Sequence, residues 1–472
     1  MKISLAIQPS KSGDLIRFFT KEDNIPAEFS KQEFSAARFS TALLRKEKSR
    51  TLCVGLGEKK KITPNTLRKA TGTAVREMER IGATRLAIDL SKLERHIETV
   101  VIGALCAQYR YEEFLPEKSR RKSKIESLLL IADAKKNPNL REQIQTAEKI
   151  AKAINLARAI GNRPPNIISP ATLATSIQNQ ISSKNYRVRV WNKKALQRDG
   201  FRAILAVGAG SANEPRFITL EPVRKISAPT VAIVGKAVTF DSGGLSLKPA
   251  ASMEDMKFDK LGGCAAFGIA HAVAALGLPV NLHVAIPSAE NIPGEGAYRP
   301  GDLLHTWDDQ TIEVLNTDAE GRVILADALA YACKTWKPDI VINLATLTGA
   351  CVVALGEERA GLFSNDDELS EALYKAGETT GDRVWRLPQG EEYDGLIKSD
   401  VALVKNTGGR WGGACSAATF LSHWITAPQW AHLDIAGPAQ THKASRWLEA
   451  GATGFGIALV VNYLRSLTNT LK

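Results

Sequence analysis

The chain has 472 residues, of which 44% are hydrophobic and 24% are charged. These fractions are typical of a globular protein, and this length exceeds what one hydrophobic core usually supports, so they exclude a disordered chain and favour two domains. The apolar runs are too short for a signal peptide or a membrane span, so we expect a cytoplasmic protein. Six cysteines without CxxC spacing indicate free thiols in a reducing compartment.

The formal net charge of +12 is concentrated in the first third of the chain. Residues 1–160 contain 32 Lys and Arg against 19 Asp and Glu, a net charge of +13, and the remainder has a net charge of −1. The segment 116–124 is strongly basic. A nucleic-acid contact and a solvated loop both explain it, and the lack of interleaved aromatic residues favours the loop.

The first 140 residues alternate strand patterns with helical patterns, which predicts a small N-terminal α/β domain over 1–140. The strand patterns cover 2–7, 51–56, 85–90 and 127–132, and the helical patterns cover 34–45, 63–81 and 96–114. Thr63 followed by Pro64 is a typical helix start. A polar helix over 141–161 connects to the second domain, and Pro164 prevents it from continuing.

Residues 162–472 predict a larger C-terminal α/β domain with a mixed, mostly parallel central sheet covered by helices. Strand patterns cover 187–191, 204–207, 217–220, 230–234, 282–287, 340–345 and 431–435, and helical patterns cover 262–275, 323–335, 416–425 and 456–465. Several strands are continuous apolar runs, as in a sheet that is buried on both faces. Ligands bind beyond the carboxyl ends of the strands in such sheets, and polar motifs follow several of these strands.

The most informative segment is 316–322, with the sequence Asn-Thr-Asp-Ala-Glu-Gly-Arg. Asp318 and Glu320 are two residues apart, so in an extended segment both side chains point the same way and converge on one object. Converging carboxylates repel each other unless a cation lies between them, and hard divalent cations prefer oxygen ligands. The alternative is that Asp318 caps the following helix and Glu320 complements its dipole.

A second polar segment follows the apolar strand 230–234. It has the sequence GKAVTFDSGGLSLKP at 235–249 and continues as MEDMKFD at 253–259. Together with 316–322, it resembles the signatures of the leucyl aminopeptidase family, the dimetal, cytosol-type aminopeptidases. The resemblance continues through NIPGEGAYRPGD at 291–302, ATLTGA at 345–350 and WAHLDIAG at 430–437, and it therefore covers the chain from about residue 150 to its end.

The resemblance implies two divalent metal ions, Mn²⁺ or Zn²⁺, bound by five side chains. Asp241 and Glu320 would bridge the ions, Asp318 would complete one site, and Lys236 with Asp259 would complete the other. Four carboxylates balance two dications only if Lys236 is neutral, and two nearby dications favour its neutral amine. Without the family resemblance, an ion pair between Lys236 and Asp241 is the simpler interpretation.

The resemblance also implies a metal-dependent aminopeptidase that removes the amino-terminal residue from peptides with a water activated by two metals. Lys248 would stabilise the oxyanion, and Arg322 would hold a bicarbonate ion that serves as general base. Leucine and other apolar residues would be preferred with broad specificity, because an apolar pocket discriminates weakly between them. A homohexamer is the assembly that the resemblance implies. The implied substrate-binding residues are Met256, Thr346, Leu347 and Gly349.

Lys260 and the histidines also bear on the implied metal site. Lys260 follows Asp259 at a position where relatives commonly carry methionine, and a cation beside a metal ligand bears on metal preference. The seven histidines include no HExxH pair, and His432 is expected to be a buried structural residue.

Two other functions stay open: a two-metal phosphatase, although no phosphate-binding loop supports it, and nucleic-acid binding by the basic N-terminal domain.

Overall fold

The computed structural model describes residues 1–8, 13–47, 49–121, 125–133, 135 and 137–469. These residues form two compact units. The first contains the described residues up to 155 together with 378–381 and 442–450, and the second contains the remaining described residues. None of the helices in these ranges combines the length and the apolarity that a membrane crossing requires. The predicted domain boundaries at residues 140 and 162 stay a prediction.

A six-stranded sheet forms the centre of the first unit. Its strands are β1 (Lys2–Ala6), β2 (Gly13–Thr20), β3 (Thr41–Lys46), β4 (Ser49–Gly57), β5 (Arg85–Asp89) and β6 (Ser127–Ile131). The strand order is β1-β6-β5-β2-β4-β3, and all neighbours are parallel except β3, which is antiparallel to β4. Two α-helices lie wholly within this unit among the described residues: α1 (Pro64–Arg80) and α2 (Ile97–Ala107).

Helix α1 begins as the sequence predicts. The Thr63 side chain accepts a hydrogen bond from the backbone N–H of Thr66, and Pro64 occupies the first helical position. Leu67 and Ala74, which are two helical turns apart, are both fully buried. The cap therefore defines where the helix starts, and its apolar face determines which side packs in the core.

Predicted and observed elements differ at three places in the first unit. The predicted helix over 34–45 is wrong, because Ala36 and Phe39 have φ values of 52° and 65° and a left-handed backbone cannot continue an α-helix. The predicted helix over 96–114 ends at Ala107. Strand β2 lies where no element was predicted.

The basic segment 116–124 is described as far as Arg121, and residues 122–124 lie outside the described residues. Residues 116–121 are exposed and include a single 3-10 turn at Glu117–Ser119. This exposure fits the solvated loop that the sequence favours. The nucleic-acid contact stays a prediction.

A long helix, α3 (Leu140–Asn162), occupies the predicted connector. Its inner residues Ile150 and Ile154 are buried, whereas Lys149 and Lys152 are accessible to solvent. It ends just before Pro164, as expected for a residue that lacks a backbone N–H and restricts its neighbour.

The second unit contains a nine-stranded sheet and two small sheets. Its strands are β7 (Tyr186–Trp191), β8 (Arg216–Pro222), β9 (Thr230–Gly235), β10 (Ala237–Asp241), β11 (Asn281–Asn291), β12 (Leu303–His305), β13 (Thr311–Glu313), β14 (Ile340–Ala345), β15 (Ala360–Ser364), β16 (Val384–Arg386), β17 (Val404–Lys405), β18 (Gln429–Asp434), β19 (Gln440–Thr441) and β20 (Gly451–Ala452). The large sheet has the order β16-β15-β18-β14-β9-β11-β8-β7, with β10 beside β11.

The centre of the large sheet is parallel, and antiparallel pairs lie toward its edges. Strands β18, β14, β9 and β11 are parallel neighbours, whereas β8 is antiparallel to β11 and β15 is antiparallel to β18. Every residue of β11 and β14 is buried. The mixed, mostly parallel sheet predicted from the continuous apolar runs is confirmed.

Eleven further α-helices are present among the described residues of the second unit and its borders, besides short 3-10 and π-helical turns. They are α4 (Pro170–Gln180), α5 (Lys193–Arg198), α6 (Arg202–Val207), α7 (Ala250–Met253), α8 (Leu261–Leu276), α9 (Glu320–Tyr331), α10 (Gly349–Leu355), α11 (Asp367–Thr380), α12 (Glu391–Ile397), α13 (Gly413–Ser422) and α14 (Ile457–Asn469). All twelve residues of α9 are buried.

The predicted strand over 204–207 is wrong, because these residues belong to helix α6. The residue before α6 is Phe201, whose side chain makes no cap hydrogen bond. Asp327 of α9 supplies the missing acceptor, and its carboxylate takes the backbone N–H of Ile204 at 3.0 Å. A distant acid thus caps a helix whose local sequence reads as a short apolar strand.

Candidate metal centre

Lys236 lies directly after β9, where the carboxyl ends of the parallel strands meet. Its Nζ is 2.8 Å from carboxylate oxygens of both Asp259 and Glu320, and it donates to the Thr346 carbonyl at 3.1 Å. Only 2% of the residue is exposed, and an ammonium so deeply buried requires partners of this kind. The ion pair with Asp241 that the bare sequence suggests is replaced by these two.

Asp241 ends β10, and a tight glycine turn holds its carboxylate. Oδ1 accepts hydrogen bonds from the Gly243 backbone N–H at 2.9 Å and from Asn291 Nδ2 at 2.8 Å, and Oδ2 lies 2.9 Å from Lys248 Nζ. Gly243 has φ +86°, and a Cβ on it would lie 2.8 Å from a carboxylate oxygen of Asp318. The turn therefore requires glycine, both for its backbone and for the space inside the site.

Asp318 and Glu320 flank the start of α9. Glu320 is the first helical residue and is 1% exposed, and Asp318, which is partly exposed, forms an ion pair with Lys248. The residue that precedes the helix is Ala319, and no side chain caps it. The predicted Asp318 cap is therefore wrong, whereas Glu320 lies in the first turn, where an acid complements the helix dipole, and it also pairs with Lys236.

Asp259 follows a single 3-10 turn at Met256–Phe258. Its Oδ1 accepts a hydrogen bond from Thr346 Oγ1 at 2.7 Å, whereas its buried Oδ2 has no hydrogen-bond partner among the described residues. Carboxylate oxygens of Asp241, Asp259 and Glu320 all lie within 4.8 Å of one another. A buried carboxylate oxygen without a partner, beside two other acids, is costly unless a cation binds there.

The pKa values of the clustered groups are strongly perturbed. Burial is the largest cause that raises the pKa of Asp241, Asp259 and Asp318, and repulsion between the carboxylates adds to it. For Lys236, burial lowers the pKa, but the carboxylates of Asp259 and Glu320 outweigh burial and raise it above its ordinary value. The four carboxyl groups outnumber the two lysines, so a further cation would stabilise their ionised forms.

The donor atoms of this cluster fit divalent cations. Carboxylate oxygens suit hard cations such as Mn²⁺ and also bind Zn²⁺, and a cation would give the buried Oδ2 of Asp259 the partner that it lacks. Lys236 Nζ touches two of the acids, so an ion bound there would meet nitrogen as well as oxygen. A nearby dication also favours the neutral form of an amine.

Arg322 lies two residues after Glu320 in α9. It is 8% exposed, and its Nε and Nη1 have no hydrogen-bond partner among the described residues. Burial lowers the pKa of Arg322 to about 10, against the opposing effect of Glu320 and Asp434, so the guanidinium stays charged near neutral pH. A buried guanidinium with two available donors is suited to binding a small anion.

Two of the four residues expected to contact substrate, Met256 and Thr346, lie beside Asp259. Met256 is half-buried and begins the 3-10 turn before Asp259, and Thr346 bonds directly to the Asp259 carboxylate. The Leu347 backbone N–H donates to an Asp434 carboxylate oxygen at 3.2 Å. Gly349 begins α10, and a Cβ added to it would meet no atom within 4 Å.

Sequence reasoning missed Asn291 and Asp434, which organise the site. Asn291 Nδ2 donates to Asp241 at 2.8 Å and to the Thr317 carbonyl at 3.0 Å, so it links the two polar motifs. Asp434 is fully buried and accepts a hydrogen bond from Thr348 Oγ1 at 2.7 Å. Each residue ends an apolar strand, and a polar residue at that position is the signal that would have found both.

Lys260 and His432 have structural partners. Lys260 is completely buried, and its Nζ donates to the backbone carbonyls of Arg163, at 3.1 Å, and Lys257. Burial lowers the pKa of Lys260 to about 8. His432 is fully buried, as predicted, and its Nδ1 lies 2.7 Å from Asn343 Nδ2, whereas its Nε2 has no hydrogen-bond partner among the described residues.

Two protein-family models match the chain. The cytosol aminopeptidase family catalytic domain matches residues 155–461, and the cytosol aminopeptidase family N-terminal domain matches residues 25–118. The chain is 41% identical over 442 residues to a probable cytosol aminopeptidase of Geobacter sp. (strain M21), covering 92% of this chain and 90% of the relative. It is 42% identical over 424 residues to one of Cenarchaeum symbiosum (strain A), covering 88% and 86%.

Solved structures of similar proteins also superpose on almost the whole chain. The bottromycin maturation enzyme BotP in complex with Mn superposes with a TM-score of 0.88 at 32% identity, covering 97% of this chain and 100% of that chain. A mutant of tomato leucine aminopeptidase superposes with a TM-score of 0.89 at 30% identity, covering 98% and 96%. The chain therefore belongs to the cytosol aminopeptidase family, and it is a metallo-exopeptidase.

Proposed function

We propose that this chain hydrolyses the amino-terminal peptide bond of peptides, preferring leucine and other apolar residues with broad specificity. One observation carries the proposal: buried carboxylate oxygens of Asp241, Asp259 and Glu320 lie within 4.8 Å of one another at the carboxyl ends of parallel strands. That arrangement concentrates negative charge at the place where α/β folds bind their ligands.

The metal ligands in this proposal are Lys236, Asp241, Asp259, Asp318 and Glu320, and the cofactors are two divalent ions, Mn²⁺ or Zn²⁺. When bound, such ions supply a Lewis acid for the scissile carbonyl and lower the pKa of a water that acts as nucleophile. The manganese named for BotP supports Mn²⁺, and the mixed oxygen and nitrogen donors are compatible with either metal.

Lys248 is the group that we assign to the carbonyl oxygen of the substrate. Burial lowers its pKa, but Asp241, Glu320 and Asp318 outweigh burial and raise the pKa above its ordinary value, so the ammonium stays charged. Its Nζ is 2.9 Å from Asp241, which places the charge beside the proposed metals. A donor that stabilises a developing oxyanion contributes about 3 kcal/mol to catalysis.

Arg322 is the proposed site of a bicarbonate ion that accepts a proton as general base. The support is chemical: Nε and Nη1 are buried donors that have no hydrogen-bond partner among the described residues, and a cationic guanidinium binds anionic oxygens. The acids of the cluster are occupied as metal ligands in this proposal. A bound anion therefore supplies a base that the clustered side chains do not.

Met256, Thr346, Leu347 and Gly349 are the proposed substrate-binding residues. Met256 has a flexible apolar side chain that adapts to different partners, and an apolar pocket separates side chains that differ by one methylene by about 1–3 kcal/mol. Gly349 leaves open space where a side chain would otherwise stand. Both features favour broad specificity over strict selection of leucine.

We also propose that the enzyme acts in the cytoplasm as a homohexamer. The relatives are named cytosol aminopeptidases, and the six cysteines are all free thiols in the structure. Val353, Trp411, Val401 and Leu247 are 90%, 78%, 63% and 61% exposed, and large exposed apolar side chains are typical of surfaces that contact another subunit. Mass photometry of the purified protein tests the assembly.

A secondary nucleic-acid contact by the N-terminal domain has one specific observation in its favour. A cavity of about 660 Å³ in the first unit is lined by Arg76, Arg80, Arg110, Arg120, Arg121 and Arg446, with Glu77 and Glu79 as its acids, and Glu449 pairs with Arg76 and Arg110 from outside the lining. Arginines in excess over acids favour a polyanion. Binding of duplex DNA should fall steeply with salt and persist in Glu320→Ala, and DNA that stays unbound at low salt excludes this function.

The main proposal is tested with leucine anilide and its N-acetylated counterpart. Hydrolysis of the free-amine substrate, loss of that activity on chelation, recovery with Mn²⁺ or Zn²⁺ and no hydrolysis of the acetylated substrate are expected. The acetylated compound is the matched control, since it differs only at the amine that an aminopeptidase recognises. Hydrolysis of a phosphate ester in place of the anilide would identify the rival two-metal phosphatase.

A further inference from the structure

In the sheet of the first unit, the order in which the chain adds strands changes direction between the neighbouring strands β2 and β5. These strands are parallel neighbours, with Ile16 beside Ile88. From β2 the chain continues to β3 and β4 on one side of the sheet, and from β5 it continues to β6 on the other. Connections that leave neighbouring carboxyl ends in opposite directions open a crevice, and open α/β sheets bind ligands there.

A cavity of about 430 Å³ lies at this reversal point. Ligand pockets are typically about 300–1,000 Å³, so the cavity is large enough for a small molecule. It is lined by the ends of β2 (Arg17 to Thr20) and β5 (Asp89) and by the segments that follow β2, β4 and β5. The cavity belongs entirely to the first unit and shares no lining residue with the acid cluster.

The charged lining of the cavity carries excess positive charge. Arg17 is 3.4 Å from Asp89, and Lys92 is 2.7 Å from Asp23, so these four groups form two ion pairs. Lys59 and Arg95 also line the cavity and are exposed. Neither has a carboxylate within ion-pair distance among the described residues. Arg95 donates through Nε to His96 Nε2 at 2.9 Å, which leaves its Nη groups and the Lys59 ammonium for an anionic ligand.

The same cavity has an apolar wall and a helix start. Phe18, Leu56, Ile62 and Leu93 line it, and Leu56 is almost fully buried. Helix α2 starts directly after His96, which also lines the cavity and whose side chain makes no cap hydrogen bond. The Ile97 N–H bonds to the Glu94 carbonyl, and the partial positive charge of the helix start adds to the field of the two cations.

We propose that this cavity binds a mononucleotide-sized phosphate ester, with its phosphate at Lys59, Arg95 and the start of α2. The apolar wall would cover the uncharged part of the ligand, which an inorganic anion lacks. This site is separate from the peptidase centre, and its existence does not depend on the proposed function.

Calorimetric titration of the full chain tests the site, with AMP, GMP, CMP and UMP as probes and adenosine and inorganic phosphate as their separate parts. At least one mononucleotide should bind more tightly than both adenosine and phosphate. Lys59→Ala and Arg95→Ala should each weaken that binding by about tenfold, the effect of one lost charge-assisted hydrogen bond of about 1.4 kcal/mol. Lys60→Ala is the matched control, because Lys60 is exposed in the same turn but does not line the cavity.

Leucine-anilide hydrolysis and the melting temperature should be the same in all three variants, which shows that they fold. No mononucleotide binding in the millimolar range overturns the proposal. Equal affinities in wild type, Lys59→Ala and Arg95→Ala overturn it as well, and so does binding of phosphate as tight as that of every mononucleotide.

Discussion

The side chain of Lys236 fills the space in which a Cβ on Gly321 would stand. That Cβ would lie 2.5 Å from Cε and 2.6 Å from Nζ of the lysine, closer than any ordinary contact. The glycine after Glu320 is therefore part of the site, because it lets a buried lysine reach the acids on both sides.

Gly321→Ala should lower leucine-anilide turnover by more than tenfold and weaken metal binding. Alanine normally stabilises a helix by about 1 kcal/mol relative to glycine, so a loss here reports the displaced lysine and not the helix. Metal titration and kinetics at saturating metal measure the two effects. Gly395→Ala in α12 is the control, because a Cβ there meets no atom within 4 Å. Full activity of Gly321→Ala would show that Lys236 is not needed at its observed position.

Glu320→Gln should remove most of the bound metal and lower activity by more than about 100-fold. Residues that only orient metal ligands typically change affinity or activity by about 10–100-fold, and a carboxylate that itself binds the metal should matter more. Elemental analysis of the dialysed protein gives the metal content directly. Glu295→Gln removes one charge from an exposed loop and should keep both metal and activity. A Glu320→Gln enzyme with two metals per chain would exclude Glu320 as a ligand.

Lys248→Met and Arg322→Met should each reduce kcat by about 100-fold to 1,000-fold with metal content unchanged, because they remove charges that act on the reacting groups. Added bicarbonate should stimulate the wild type and not Arg322→Met. Stopped assays with leucine anilide and parallel metal analysis separate catalysis from metal binding. Turnover at the wild-type level in both variants would remove these residues from the mechanism.

Local polar motifs predicted much of the acid cluster but not the residues that hold it. The alternation of Asp318 and Glu320 and the polar turn around Asp241 are visible in the sequence. The structure brings Asp241 and Glu320 together, and Lys248 pairs with both Asp241 and Asp318. Asn291 joins the two motifs through one amide group, and its partners are distant in sequence. Such a link is created by strand pairing, so no local pattern reports it.

The prediction of secondary structure from the sequence was wrong where a contact distant in sequence, or an unusual backbone angle, decides the structure. Residues 204–207 read as a strand, but Asp327 caps them as a helix from another element. Residues 34–45 have helical spacing, but the positive φ angles of Ala36 and Phe39 interrupt it. By contrast, α1 was predicted correctly because Thr63 and Pro64 define its start within the local sequence.

His432 gives a prediction about stability and pH. Burial, with a smaller effect of Arg322, lowers the pKa of His432 from 6.5 to about 3. The unfolded chain therefore takes up a proton below about pH 6.5 that the folded protein does not bind. The stability that the neutral histidine provides is complete above pH 6.5 and is lost progressively as the pH falls toward 3.

His432→Gln should destabilise the protein most at pH 7.5 and progressively less as the solution is acidified. The advantage of the wild type should shrink by up to about 1.4 kcal/mol per pH unit below pH 6.5, because glutamine has no proton to gain. Thermal denaturation of metal-free wild type and variant at matched pH values measures the difference, and the titrating carboxylates shared by both proteins cancel in the subtraction. A difference in melting temperature that stays constant from pH 7.5 to pH 4.5 would mean that His432 is protonated in the folded state. The Asn343 amide would then have to present its oxygen, in place of Nδ2, to the His432 Nδ1–H.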